Sequence, residues 1–216
     1  MIRKILLMAF ALLIVTGCSV DTTKKEFNKT ALSWYTKITN AISSNNLDKA
    51  DEYYLSMRSE HTRSTLLQTT TMMLAHAHMD KEEYLMARYY FDEYNKRFAL
   101  GDRKEYAEFM KLKAAFLGIR DTNKDQKLMM DTITNANKFL YTHPFSQYKP
   151  LVNTIIVRLK MSQILLNENV ASLYNRVGKD DAAKIYRAKN QTSSINMSDI
   201  SKPDDGILNN VTKVFK

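Results

Sequence analysis

Cysteine, proline and glycine are nearly missing from this chain. Its 216 residues hold one Cys, three Pro and five Gly. One cysteine excludes an internal disulfide, so the fold must be held by packing. So little Pro and Gly removes the punctuation that tight hairpins and short strands need. No stretch alternates in the Val-Thr-Val manner of a strand, and helix formers dominate. The composition predicts an all-α protein. Catalytic signatures are missing too. The sequence has no Gly-rich phosphate loop, no nucleophile elbow and no acidic ladder at EF-hand spacing. His76 and His78 are the one close histidine pair, and at i,i+2 on a helix they point apart, so no metal is expected there. His61 and His143 stand alone. Glu82-Glu83 and Asp180-Asp181 fall at helix starts, where negative charge offsets the helix dipole. These absences predict a protein that is not an enzyme and has no cofactor.

What is present begins at the N-terminus. Arg3 and Lys4 precede an apolar run, Ile5–Val15, about half of the roughly 20 residues a spanning helix requires. A basic start, a short apolar stretch and then small residues form the plan of a secretory signal. Val15-Thr16-Gly17-Cys18 follows and resembles the lipobox of bacterial lipoproteins. That resemblance implies cleavage before Cys18 and lipid on its thiol. A transmembrane anchor, or an ordinary signal with a stray Cys, is the alternative reading. Residues 1–17 are the expected signal and 18–25 a polar tether. Ser19, rather than Asp, follows the cysteine, which under enterobacterial sorting rules favours the outer membrane, with the chain on its periplasmic face.

The net charge of +9 is unevenly placed. Cys18–Leu100 is balanced, whereas Gly101–Lys216 carries 19 basic and 12 acidic residues. A basic second half suits an acidic protein or anionic lipid as well as a merely solvated surface. Export argues against nucleic acid.

Residues 26–190 read as helical hairpins. Phe27, Ala31, Trp34, Ile38 and Ala41 share one face, and Ser43-Ser44-Asn45-Asn46 breaks it. Leu47, Ala50, Tyr54 and Met57 form the returning face. The next hairpin places Leu66, Thr70, Met73 and Ala77 on one helix, breaks at Met79-Asp80-Lys81, and returns with Tyr84, Ala87, Phe91, Tyr94 and Phe98. Leu100-Gly101-Asp102 is the expected stop. A third hairpin uses Phe109, Leu112, Phe116 and Ile119, a long polar connection from Gly118 to Asp125, then Met129, Ile133, Ala136, Phe139 and Leu140. A helix of nearly 30 residues is expected from Val152 through Ile156, Leu159, Gln163, Leu166, Val170 and Leu173 to Val177, with a break near Asn167 as the alternative. A short helix from Asp180 closes a fourth unit. Residues 191–216 are expected to be a disordered tail.

The first two hairpins are in register. Ala50 and Ala87 are each followed four residues later by an aromatic, Tyr54 or Phe91, and preceded at sixteen by Trp34 or Thr71. This resembles the tetratricopeptide pattern W-x2-L-G-x2-Y, A-x3-F, although Lys37-Ile38 replaces Leu-Gly and Thr71 replaces Trp. The fold expected is a tetratricopeptide-like array of about four hairpins with one long helix. In such arrays the first helices of successive repeats line a groove. Here those positions are Leu32, Tyr35, Thr39 and Ile42, then Thr69, Met72, His76 and Met79. Methionine adapts to varied shapes, so the groove suits an extended peptide carrying aromatic side chains. Ordinary core between repeats is the competing reading.

The stretch Phe139-Leu-Tyr-Thr-His-Pro144-Phe-Ser146-Gln-Tyr148, with Arg158-Leu-Lys160, Val170-Ala171-Ser-Leu-Tyr174 and Gly178 on the long helix, resembles the BamD family of outer-membrane assembly lipoproteins. The resemblance spans roughly Phe27 to Lys189. It implies a non-enzymatic scaffold that binds the periplasmic domain of BamA, other lipoproteins of the same machine and nascent outer-membrane β-barrel proteins. It places the BamA contact in the second half, with Arg176 and Arg187 as candidates, and substrate aromatic signals on the first repeats. Two departures stand out. The family has five repeats, and its Ala-Ala-hydrophobic-Asn-Arg helix reads Ala182-Ala183-Lys184-Ile185-Tyr186-Arg187 here, with no Asn and the Arg one place late. Another tetratricopeptide envelope lipoprotein, such as a secretin pilotin, is the alternative function.

Overall fold

A computed structural model describes residues 26–191. The expected signal, Cys18, the tether and the tail beyond Gln191 lie outside the described residues. Eight helices follow one another, with no strand among the described residues: α1 (Ala31–Ser43), α2 (Leu47–Glu60), α3 (Thr65–Asp80), α4 (Tyr84–Arg97), α5 (Asp102–Leu117), α6 (Gln126–Thr142), α7 (Lys149–Arg176) and α8 (Asp180–Gln191). Each packs on the next, and α1 also meets α3, as in a stacked hairpin array.

The small residues set the spacing. Ala50, Ala87 and Ala183 are fully buried, each at the fourth position of the returning helix of its hairpin. A methyl group there lets the paired helix approach closely. Tyr54 and Phe91 fill the adjoining gap and are fully buried, as is Trp34. Burying each such side chain contributes about 2–3 kcal/mol. Thr71, standing in the Trp place of the second hairpin, is buried with its hydroxyl 3.0 Å from the Tyr54 hydroxyl. Tyr54 also packs edge-to-face on Tyr90, ring centroids 5.1 Å apart.

Local chemistry fixes the ends. Asn46 and Ser64 accept backbone N–H bonds at the starts of α2 and α3. Gly178 follows α7 with φ +72°, a conformation that favours glycine. The other expected glycine stop is placed differently: α4 ends at Arg97, and Gly101, with φ +55°, precedes α5 instead. In the long connection Asp125 accepts from the backbone N–H groups of Arg120 and Asp121, both at 3.0 Å. Asp121 accepts from the Asn123 N–H at 2.8 Å, which holds its carboxyl below the usual range.

Three expected faces are corrected. Helix α1 starts at Ala31, so Phe27 is not on it and is exposed. On α3 the buried positions are Leu67, Thr70, Thr71, Leu74, Ala75 and His78; Leu66, Met73 and Ala77 lie one step off and are only half-buried. The helix is contacted from several sides, so apolar residues ring it and periodicity alone does not choose its face. Helix α7 runs unbroken for 28 residues through Asn167. Its first half buries Val152, Ile156 and Leu159 as expected, but Leu173 is 51% and Val177 59% exposed. Helix α8 meets the far half of α7 near Asn167 and Ala171 instead, where Asn167 Nδ2 donates to Asn190 Oδ1 at 2.8 Å and Asn190 Nδ2 to the Ile164 carbonyl at 3.1 Å.

Candidate functional site

A cavity of about 520 Å³ opens where α1, α3, α4 and α5 face one another. Its walls are mainly apolar. Ile42 comes from the end of α1, and Thr69, Met72, Met73, His76 and Ala77 from α3. Tyr94 of α4 stands behind them, its hydroxyl accepting from Gln68 Nε2 at 3.1 Å. Asp80 and Arg103 are the two charged residues on the lining. Arg103 is exposed in the first turn of α5 and makes no ion pair among the described residues.

Of the eight groove positions read from the sequence, Ile42, Thr69, Met72 and His76 converge here. Leu32, Tyr35, Thr39 and Met79 do not line the cavity. Leu32 projects from the first turn of α1 into solvent, and Met79 packs against the core. Met73 and Ala77 join because the buried face of α3 is rotated one residue from expectation. Arg103 belongs to the third hairpin, outside the two hairpins whose repeat register predicts the groove.

His76 is held rather than reactive. Its Nε2 lies 3.0 Å from the Tyr106 hydroxyl, and its ring meets Phe91 edge-to-face at 5.4 Å. Burial holds its pKa below that of a free imidazole, so the ring is neutral at neutral pH. With pliable Met72 and Met73 for walls, the cavity can take an apolar or aromatic side chain, and Arg103 can meet a carboxylate.

Behind the groove, His78 is 2% exposed. It points away from His76, as the i,i+2 spacing requires. Its Nδ1 lies 2.6 Å from Glu83 Oε2 and its Nε2 3.0 Å from Asp51 Oδ1, while the Tyr90 hydroxyl donates to Asp51 at 2.6 Å. Glu83 occupies the N-cap of α4 without a side-chain cap bond, so its carboxylate serves the histidine. Burial opposes charge on His78, but the hydrogen bonds to Asp51 and Glu83 outweigh it and raise its pKa. Burial, then Asp51, pushes the Tyr90 phenol upward.

The second half carries the Pro-x-Ser-x-Tyr turn. Ser146 Oγ donates to Glu105 Oε1 at 2.6 Å and accepts from the Tyr148 N–H at 3.0 Å. The Tyr148 ring stacks on Phe109 with centroids 4.4 Å apart. Those residue types are explained by docking the start of α7 onto α5. Further along, Arg187 on α8 bonds Glu168 on α7 through Nε at 3.2 Å and Nη2 at 3.0 Å. The Glu168 hydrogen bond raises the Arg187 pKa. With its oxygen facing α8, the Asn175 amide accepts from Arg187 at 3.0 and 3.2 Å. Arg176, at the end of α7, is exposed. The two arginines are thus both on the α7–α8 hairpin, one held and one projecting.

Among the described residues no three His, Cys, Asp or Glu side chains form a metal-sized group, and no helix is long and apolar enough to cross a membrane. Residues 27–191 match the model of the YfiO family, described as outer membrane lipoprotein. The chain is also 36% identical over 186 residues to the outer membrane protein assembly factor BamD of Helicobacter pylori (strain ATCC 700392 / 26695), covering 85% of this chain and 84% of that protein. Matching through nearly all the described helices, the chain belongs to the YfiO family of outer membrane lipoproteins.

Proposed function

We propose that this protein is a non-enzymatic scaffold lipoprotein that helps assemble outer-membrane β-barrel proteins. The observation that carries the reading is the 36% identity, over 85% of the chain, to a protein named as an assembly factor for outer membrane proteins. Cys18 is its lipid-bearing residue and anchors it at the periplasmic face of the outer membrane. The α7–α8 hairpin is its face for the periplasmic domain of BamA, with other lipoproteins of the machine alongside. Arg176 and Arg187 supply the charge for that contact. The cavity at Met72 and His76 receives an aromatic side chain from a substrate β-barrel protein, and Arg103 meets a carboxylate of the same segment.

Each assignment follows from chemistry that favours it. A lipid chain on Cys18 adds about 0.8 kcal/mol per buried methylene, and lipoproteins need more than one chain or a docked partner for stable anchoring. Arginine forks pair with carboxylates in two parallel bonds, which suits a protein partner with an acidic patch. The pull-down of detergent-solubilised BamA with the full-length protein tests the reading. Co-purification is expected. Recovery of a secretin in place of BamA, with the protein well expressed, would transfer it to the pilotin class.

A further inference from the structure

The third hairpin is built unlike the others. Its fourth position on the returning helix is Met129, where the other hairpins have Ala50, Ala87 and Ala183. Met129 is almost fully buried in the core, a larger side chain than the alanine of the other hairpins. The two helices meet over a shorter stretch than those of the other hairpins. A cleft of about 730 Å³ opens between α4, α5 and α6, distinct from the groove at Met72.

The charges around this cleft do not cancel. Asp92 is neutralised by Lys111 and by Lys96, the latter at 2.5 Å. Asp131 lies 3.4 Å from Lys127. Glu108 lies 2.7 Å from His143, a contact that is an ion pair only when the imidazole carries a proton. Against Glu108 stand three cations of the same lining, one from each helix: Arg88 on α4, Lys104 on α5 and Lys138 on α6. None makes an ion pair among the described residues. Leu128 supplies half-buried apolar surface within the same lining, whereas Leu112 and Phe139 are core residues, each 5% exposed.

We propose that the α4–α5–α6 cleft is a docking site for an acidic peptide segment of a partner protein, one that carries carboxylates to Arg88, Lys104 and Lys138 and an apolar side chain to Leu128. Arg88, Lys104 and Lys138 leave the lining with an excess of positive charge over Glu108, and a bound carboxylate offsets that excess. Most of the peptide's attraction is electrostatic and weakens with salt, because Lys104 and Lys138 are exposed. The site does not depend on the groove at Met72 or on the α7–α8 face.

The test uses the full-length protein in detergent and a fluorescent peptide of alternating Glu and Leu, with the Gln-Leu peptide as its uncharged counterpart. The variant Arg88→Gln/Lys104→Gln/Lys138→Gln should bind the acidic peptide about tenfold more weakly, equivalent to about 1.4 kcal/mol. The matched variant Arg63→Gln/Lys81→Gln/Lys124→Gln, whose exposed sites lie outside the cleft and the α7–α8 hairpin, should bind as the parent does. Hydrogen exchange should slow in 84–97 and 128–142 when the acidic peptide is added. Should the triple variant lose its helical circular dichroism, Lys104→Gln and Lys138→Gln alone are read, each weakening binding about twofold. Equal losses in both triple variants would reveal a general polyanion effect and overturn the proposal, as would equal binding of the Gln-Leu peptide or no binding at all. BamA recovery by the cleft variant separates this result from failure of the scaffold reading.

Discussion

His78 Nε2 on α3 lies 3.0 Å from Asp51 Oδ1 on α2, so the first and second hairpins are joined by a buried imidazole–carboxylate bond. Glu83 engages the other ring nitrogen, and Tyr90 shares Asp51. The pKa of His78 is raised in the folded state. A raised value means the folded protein binds the proton more tightly than the unfolded chain. The stabilisation is complete below the unfolded value of about 6.5 and is lost as pH rises through the folded value. His76 acts in the opposite sense: its pKa is lowered, so its stabilisation is present above about 6.5 and is lost as pH falls through the folded value. Urea midpoints of the parent, His78→Gln and His76→Gln across that range should separate the two. His78→Gln should remove the loss of stability on the alkaline side, and an unchanged pH profile would exclude the staple.

Truncating the groove wall should weaken peptide binding without unfolding the array. Met72→Ala removes apolar surface from the cavity lining and should cost about 1 kcal/mol of affinity for a peptide carrying an aromatic residue, a several-fold change. Arg103→Gln should matter only when the peptide also offers a carboxylate. Tyr35→Ala and Leu32→Ala should have less effect, because neither residue lines the cavity. Fluorescence anisotropy with amidated and free-acid peptides distinguishes these cases, and equal affinity across all four variants would remove the groove assignment.

The legible parts of this fold were those in which one face of a helix had one neighbour. Ala50 and Tyr54 recur as Ala87 and Phe91 because each pair holds the same place in successive hairpins, and all four are fully buried, as is Trp34. On α3, Thr65–Asp80, apolar residues occur on most sides because several helices touch it, and the face was read one residue off. Leu173 and Val177 kept the period of α7 but not its burial, since α8 packs elsewhere. Arg103 and the α4–α5–α6 cleft were illegible for another reason. Each depends on residues from hairpins far apart in sequence, and Met129 departs from the alanine rule only once the start of α6 is known. The lipoprotein family was legible in residues 139–178, where Ser146 and Tyr148 have docking partners that constrain their chemistry.

Ser146→Ala should destabilise the protein by about 1–3 kcal/mol. The change deletes the donor to Glu105 and the acceptor for the Tyr148 N–H, in a side chain that is nearly buried. Tyr148→Phe should be far milder, because the ring stacked on Phe109 is retained. Thermal unfolding of the pair checks the order, and a larger cost for Tyr148→Phe would mean the phenol rather than Ser146 holds the turn.

Arg187 and Glu168 pair on a solvated face, so breaking the pair should change stability little. Its larger effect should be on partner binding. Arg187→Gln removes a charge from the α7–α8 hairpin and should reduce BamA recovery. Glu168→Gln keeps that charge and releases it from its intramolecular carboxylate, so recovery should hold or rise. Loss of BamA in both variants to the same degree would show that the pair acts by orienting α8 and not by offering Arg187 to the partner.

Cys18→Ser should abolish incorporation of radiolabelled palmitate and move the protein from the membrane fraction to the soluble one. The hydroxyl cannot replace the thiol in thioether lipidation, and no described helix is long and apolar enough to cross a membrane. Partner contacts act independently of the anchor, so extraction with high salt tells the two apart. A contact built on Arg176 and Arg187 weakens as salt screens it, whereas an acyl chain does not. The parent should therefore stay with membranes through a salt wash. The serine variant should leave them, and retention of that variant without label would assign membrane attachment to the partner rather than to Cys18.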